Sequence, residues 1–194
     1  MRKNLLICGH IGCGKSTLIR NCLGDHALRA GGYVSLRIQN DRELKGFDLA
    51  PTAALISDDA LKDAQRFLDF GALKKQDLSV FSGLGTKLLQ EALQKPFAVI
   101  DEFGGVELLL PEMREALMAL LSSPVPCIGV LKDPDASRSL TRRLKLGEDY
   151  EAEYRRIFNT LKRDPNTTIL RTTGQDDSFA MRQMDLWAEE FVRK

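Results

Sequence analysis

Short aliphatic runs alternate with stretches of helical spacing along most of this chain, and the boundaries between them fall on glycine or proline. Leu5 to Cys8 is an apolar run closed by Gly9, the pattern of a strand buried on both faces, and Ser16 to Leu23 follows with helical periodicity. After Gly31-Gly32, the residues Tyr33, Ser35 and Arg37 alternate with Val34, Leu36 and Ile38, which describes a strand with two unlike faces. Asn40-Asp41 is a turn signal, and a second short strand around Lys45 to Ala50 completes a predicted β-hairpin over residues 33–50. Asp58 to Phe70 reads as a helix and Leu78 to Phe81 as a short strand.

From Gly85 the pattern sharpens. Leu88, Leu89, Ala92 and Leu93 share a helical face that Pro96 brings to an end, and Phe97 to Ile100 is a second fully buried strand running into Asp101-Glu102. Pro111 opens a helix whose inner face is Met113, Leu117, Leu120 and Leu121, and Val125 to Leu131 is another strand. Leu146, Tyr150, Tyr154, Ile157, Phe158 and Leu161 then share a helical face, Thr167 to Arg171 reads as strand, and Ala180, Met184, Trp187, Ala188 and Phe191 line a closing helix. The alternation predicts an α/β domain in three layers, a mainly parallel sheet with helices on both faces, whose ligands lie beyond the carboxyl ends of the strands.

Composition narrows the partners. At 194 residues, 43% of them hydrophobic, the chain is expected to fold as one globular domain spanning 1–194. Its 28 Lys and Arg against 27 Asp and Glu leave a net charge of +1, which argues against a nucleic-acid partner and a polybasic membrane binder, so any anion site must be local. The apolar run after Met1-Arg2-Lys3 stops at Gly9, too short for a secretory core, and with no long apolar span the expected location is the cytoplasm, with no membrane partner. Cys8, Cys13, Cys22 and Cys127 are scattered and only His10 and His26 accompany them, a set that predicts reduced thiols rather than disulfides or a zinc site.

Against that background one segment stands out. Gly9-His10-Ile11-Gly12-Cys13-Gly14-Lys15-Ser16 matches G-x-x-x-x-G-K-[ST], the P-loop, placed between the first strand and the first helix. Glycines at 9, 12 and 14 let successive N–H groups turn inward around phosphate oxygens, and the helix beginning at Lys15 adds its positive end. Lys15 is expected on the β- and γ-phosphates and the Ser16 hydroxyl on Mg²⁺, with Gly9, His10, Ile11, Gly12, Cys13, Gly14, Lys15, Ser16 and Thr17 forming the cradle of a nucleoside triphosphate. The plainer alternative is a glycine-rich turn with a surface lysine. Phe97 to Glu102 has the form of a Walker B strand, which assigns Asp101 to the shell of the metal through a water and Glu102 to orienting or deprotonating the attacking water. Asp101-Glu102-Phe103-Gly104 also fits D-x-x-G, but a guanine-reading N-K-x-D is absent, since Leu131-Lys132-Asp133-Pro134-Asp135 has the wrong spacing.

These segments, in this order, resemble the small nucleoside-triphosphatase family that includes the cancer-related nucleoside-triphosphatase and its thermophile relatives. The resemblance runs through the P-loop Gly9 to Thr17, Gly32-Tyr33 with Arg37, Gly46-Phe47-Asp48, Val99 to Gly104 with Glu107-Leu108, and Lys162-Arg163-Asp164 with the strand entering Thr172. It implies a P-loop NTPase fold and slow, Mg²⁺-dependent hydrolysis of nucleoside 5′-triphosphates to diphosphates with broad base tolerance. It also implies that Lys15, Ser16 or Thr17, Asp101 and Glu102 do the work, with Glu107 behind them. Where family members carry an Asn-Arg after the last strand this chain has Gly174-Gln175-Asp176-Asp177, and residues 51–84 show no clear match.

Other residues admit two readings. Arg138, Arg142 and Arg143 either fold over the phosphates or form a solvated basic turn. Tyr33 and Arg37 either cover a nucleotide rim or belong to the hairpin, His10 reads as an exposed loop residue, and Trp187 with Met184 and Phe191 reads as core. Two rival functions stay open: a nucleotide or small-molecule kinase with residues 132–147 as an arginine-bearing lid, and a nucleotide-dependent binding switch whose protein partner is not legible.

Overall fold

Aliphatic runs without a polar face have to be covered on both sides, and in this chain they pair with one another at the centre of a sheet. The computed structural model describes residues 1–41, 43–71, 76–138 and 147–193. Its strands are β1 (Asn4–Cys8), β2 (Gly31–Asn40), β3 (Glu43–Pro51), β4 (Gln65–Asp69), β5 (Ala98–Phe103), β6 (Cys127–Leu131) and β7 (Thr167–Arg171). They form one sheet in the order β4-β3-β2-β5-β6-β1-β7. The pairs β2–β5, β5–β6, β6–β1 and β1–β7 are parallel, and β3 and β4 extend the sheet in antiparallel fashion from β2.

The helices are α1 (Lys15–Leu23), α2 (Thr86–Ala92), α3 (Pro111–Ser122), α4 (Glu148–Arg163) and α5 (Ser178–Phe191). Period-two alternation along the strands divides the core. Leu5, Ile7, Val34, Val99, Ile128 and Val130 point to the face covered by α1 and α5. Leu6, Tyr33, Leu49, Ile100 and Leu131 point to the face covered by α2, α3 and α4. Trp187 of α5 is fully buried, and its indole N–H donates to the Lys3 carbonyl at 2.9 Å, so it is core, as its helical spacing predicts. Gly32 is where β2 meets β5 most closely: a Cβ there would lie 2.0 Å from the Val99 carbonyl oxygen.

The predicted hairpin is present, with longer arms than the sequence indicates, and Asp41 makes the turn with φ 47°. The segment that follows differs from its sequence reading. Asp58–Asp63 is a 3₁₀ turn and Gln65–Asp69 of the expected helix is the strand β4, while the expected strand Leu78 to Phe81 is a turn running into helix, continued by the π-helical turn Phe81–Gly85 that leads into α2. The cause is an aromatic cluster contributed by distant parts of the chain: the Phe67 ring lies 6.2 Å from Phe47 and 4.8 Å from Phe81. Cross-strand packing of this kind outweighs local helical propensity. Tyr33 is buried in the core, and the guanidinium of the exposed Arg37 lies over the Phe47 ring of the hairpin.

Candidate active site

Because five strands run in parallel, the loops at their carboxyl ends converge on one edge of the sheet. The loop from Gly9 to Gly14 leaves β1 there and returns as α1. Gly14, at the helix N-cap, has φ 96°, a left-handed conformation that glycine alone reaches at no cost. The Thr172 N–H donates to the Cys8 carbonyl at 2.9 Å, and Gln175 packs against Gly14, so the segment after β7 braces the loop from behind. His10 and Ile11 are exposed at the tip, Cys13 is half-buried, and Ser16 and Thr17 occupy the solvent-facing first turn of α1. Lys15 is buried: its ammonium donates to the carbonyls of Gly9 at 3.0 Å and His10 at 2.7 Å, with the Cys13 thiol 3.9 Å away.

β5 brings the carboxylates to the same edge, and both Asp101 and Glu102 lie within the strand rather than beyond it. The pairing with β6 slips between Asp101 and Phe103, leaving Glu102 as an inserted residue. A bulge of this kind re-aims the side chains around it, which allows two successive carboxylates to lie at one edge of the sheet. Asp101 is 2% exposed, and burial pushes its carboxyl up to about 7, opposed by the nearby Ser16 hydroxyl and the charge of Lys15 and reinforced by the charge of Glu102. Glu102 is half-buried and accepts from the Lys132 ammonium at 3.1 Å.

Behind these carboxylates lies a polar layer that fixes the loop after β5. Glu107 is buried, and one oxygen of its carboxylate accepts from the N–H groups of Gly104 at 2.6 Å and Gly105 at 2.8 Å. Burial raises its carboxyl above the ordinary range, opposed by these backbone bonds and by the charge of Lys132. The Tyr150 hydroxyl donates to the Gly104 carbonyl at 2.8 Å and Tyr154 to the Lys132 carbonyl at 2.7 Å, tying α4 to the ends of β5 and β6. Asp133 pairs with Arg171 at 3.0 Å, which links the ends of β6 and β7 across β1.

A sequence model of the NTPase family matches residues 4–159. The chain belongs to this NTPase family. Two solved structures share its fold at 16% identity and a TM-score of 0.62. One is THEP1 from the hyperthermophile Aquifex aeolicus, with 93% of this chain and 96% of that one covered. The other is a human cancer-related nucleoside triphosphatase, with 98% and 99% covered. Among curated proteins no sequence matches. The sheet is thus that of a P-loop NTPase, with one strand, β6, between the P-loop strand and the strand carrying Asp101.

In this NTPase the site residues read from the sequence fall into one cluster at the sheet edge: the loop Gly9 to Gly14, Lys15, Ser16 and Thr17 on one side, Asp101 and Glu102 on the other. Arg138 pairs with Asp135 on the surface, the solvated alternative, while Arg142, Arg143 and Leu146 lie outside the described residues. Nothing in the sequence points to Lys132 or the Asp133–Arg171 pair, which lie beside this cluster at the ends of β6 and β7. Lys132 directly follows an apolar strand, but nothing local says that this strand is the neighbour of both β1 and β5. No cluster of three or more His, Cys, Asp or Glu side chains able to hold a metal, and no helix long and apolar enough to cross a membrane, occurs among the described residues.

Proposed function

We propose that this protein hydrolyses nucleoside 5′-triphosphates, ATP and GTP among them, to the diphosphate and phosphate, with Mg²⁺ as the accompanying ion. The observation that carries the reading is that the glycine-rich loop after β1 and the buried Asp101 carboxyl at the end of β5 come to the same edge of the sheet across the single strand β6, where the Ser16 hydroxyl and the Lys15 charge both favour an ionised Asp101 and Glu102 follows next in sequence. A carboxylate that burial penalises this strongly fits a place made for a cation, and its donor set of one hydroxyl and one carboxylate, both hard oxygens, suits Mg²⁺ completed by phosphate oxygens and water. Ser16 and Asp101 would hold the ion, which supplies neutralisation of the phosphate charge when bound.

This chain's own residues do the rest. Inward-turned N–H groups of the loop Gly9 to Thr17 bind phosphate oxygens, and the Lys15 ammonium exchanges the carbonyls of Gly9 and His10 for the β- and γ-phosphates. Glu102 orients a water in line with the terminal phosphorus. As the water oxygen bonds to that phosphorus, its proton passes to Glu102, and the bond to the bridging oxygen breaks with its electron pair kept by the diphosphate. Positioning and electrostatics supply the acceleration.

Purified protein with Mg²⁺ and ATP or GTP, and no acceptor, is expected to release phosphate, which a kinase would do only slowly. Glu102→Gln keeps the shape and removes the base. Phosphate release should drop at least 100-fold while nucleotide binding grows no weaker, and full turnover in this variant would overturn the assignment.

A further inference from the structure

We propose that Lys132 is a positioning residue that reads the terminal phosphate. With no triphosphate bound its ammonium holds Glu102, and when a terminal phosphate arrives the ammonium moves to it and releases Glu102 to the attacking water. This rests on the hydrolase reading above and deepens it.

The placement comes from the sheet order. β6 lies between β1 and β5, so the residue that follows it emerges between the P-loop and the Asp101-Glu102 pair. Any phosphate cradled by Lys15 and facing Glu102 must lie along that gap. Lys132 fills it with a side chain only 16% exposed and its ammonium 3.1 Å from the Glu102 carboxylate.

Lys132 is also built to pivot. Its backbone is fixed at both polar groups: the N–H donates to the Phe103 carbonyl at 2.8 Å and the carbonyl accepts from the Tyr154 hydroxyl at 2.7 Å. Its stem runs over Gly104 and Gly105, where a Cβ would come within 3.0 Å of the Lys132 Cβ and 3.5 Å of its Cε. A fixed root with a flexible four-carbon arm over two residues without side chains suits a cation that changes partner. The exchange has a direction. Glu102 offers one negative charge and a terminal phosphate close to two, so the phosphate is the stronger partner for the ammonium. While Lys132 holds Glu102, the oxygen needed to orient water and take its proton is engaged. A diphosphate does not reach the gap and leaves the pair intact.

The test is the ratio of dissociation constants for a β,γ-imido triphosphate and for ADP, measured with Mg²⁺ by fluorescent-nucleotide displacement. Lys132→Met should weaken triphosphate binding at least 10-fold, leave ADP binding within 2-fold, and lower kcat more than 10-fold. Lys132→Arg, which keeps the charge, should retain most of the discrimination and covers the case in which the methionine variant does not fold. Glu102→Gln should tighten triphosphate binding at least 3-fold, since the ammonium then leaves no carboxylate, and this gain should vanish in the Lys132→Met, Glu102→Gln double variant. A packing role for Lys132 would not produce that coupling. An unchanged triphosphate-to-diphosphate ratio in Lys132→Met, or a gain from Glu102→Gln that survives it, overturns the proposal while active wild-type protein leaves the hydrolase reading standing. Wild-type protein that neither binds nor hydrolyses any nucleoside triphosphate overturns both.

Discussion

Asp101 holds a carboxyl group where water does not reach, and its ionisation is coupled to the stability of the whole chain. Burial lifts it to about 7 from an ordinary value of 3.8, so between those values the folded protein binds a proton that the unfolded chain has released. Stability must therefore fall as pH rises through this window, and above pH 7 the folded state carries the full cost of a buried charge, with a ceiling of roughly 4 kcal/mol. Asp101→Asn does not titrate. In urea unfolding without nucleotide the variant should be the more stable protein at pH 8, with the difference shrinking as pH falls from 7 towards 4; a difference that grows in acid would show the sign to be wrong. The same variant should lose the Mg²⁺ dependence of nucleotide binding. Glu107 is the contrasting case at this scale: an acidic residue equally hidden, but satisfied by two backbone N–H groups, which makes it a clamp on the loop after β5.

At the scale of elements, the pairing of β2 with β5 depends on Gly32. Its φ of 93° and the 2.0 Å approach of a Cβ to the Val99 carbonyl mean that Gly32→Ala strains the backbone and forces the two strands apart. A loss of about 3 kcal/mol or more is expected, read as a lower denaturant midpoint. Elements such as β1, β5, β7, α3 and α5 were legible because their signals are local: an aliphatic run closed by glycine, a proline at a first turn, a helical stripe. β4 was not legible, because what makes it a strand is the stacking of Phe67 between Phe47 and Phe81, from segments on either side of it in sequence. The site divides the same way. The loop Gly9 to Thr17 and the Asp101-Glu102 pair carry their spacing in the sequence, whereas Lys132 owes its meaning to strand order, and Gln175 to a packing contact with Gly14 across the loop.

Taken as a whole, the molecule brings the residues of the proposed nucleotide site together from parts of the sheet far apart in sequence, so nucleotide binding there should be felt throughout. A nucleotide at 100 times its dissociation constant adds about 2.7 kcal/mol, which corresponds to a Tm increase of roughly 5–10 °C for a chain of this size. Trp187, the single tryptophan, is packed against Phe97 and Phe191 on the face opposite α2, α3 and α4 and reports on the core. Its fluorescence and the far-ultraviolet dichroism should melt together and shift together with Mg²⁺ and nucleotide if residues 1–194 form one folding unit; separate transitions would divide it. The antiparallel extension has an effect beyond the site. An open sheet ends in a row of backbone groups that another chain can continue, and along β4, the end reached from β3, Leu68 bridges Gln76 and the Phe67 carbonyl accepts from the Asp77 N–H at 2.9 Å, so part of this edge is already taken. Its five residues set Gln65, Arg66 and Asp69 beside the inward Phe67, with Arg66 paired to Asp48 and 3.7 Å from Asp69. Charge along that margin makes the addition of a foreign strand costly, so the hairpin that widens the sheet also guards crowded molecules against growing into one another.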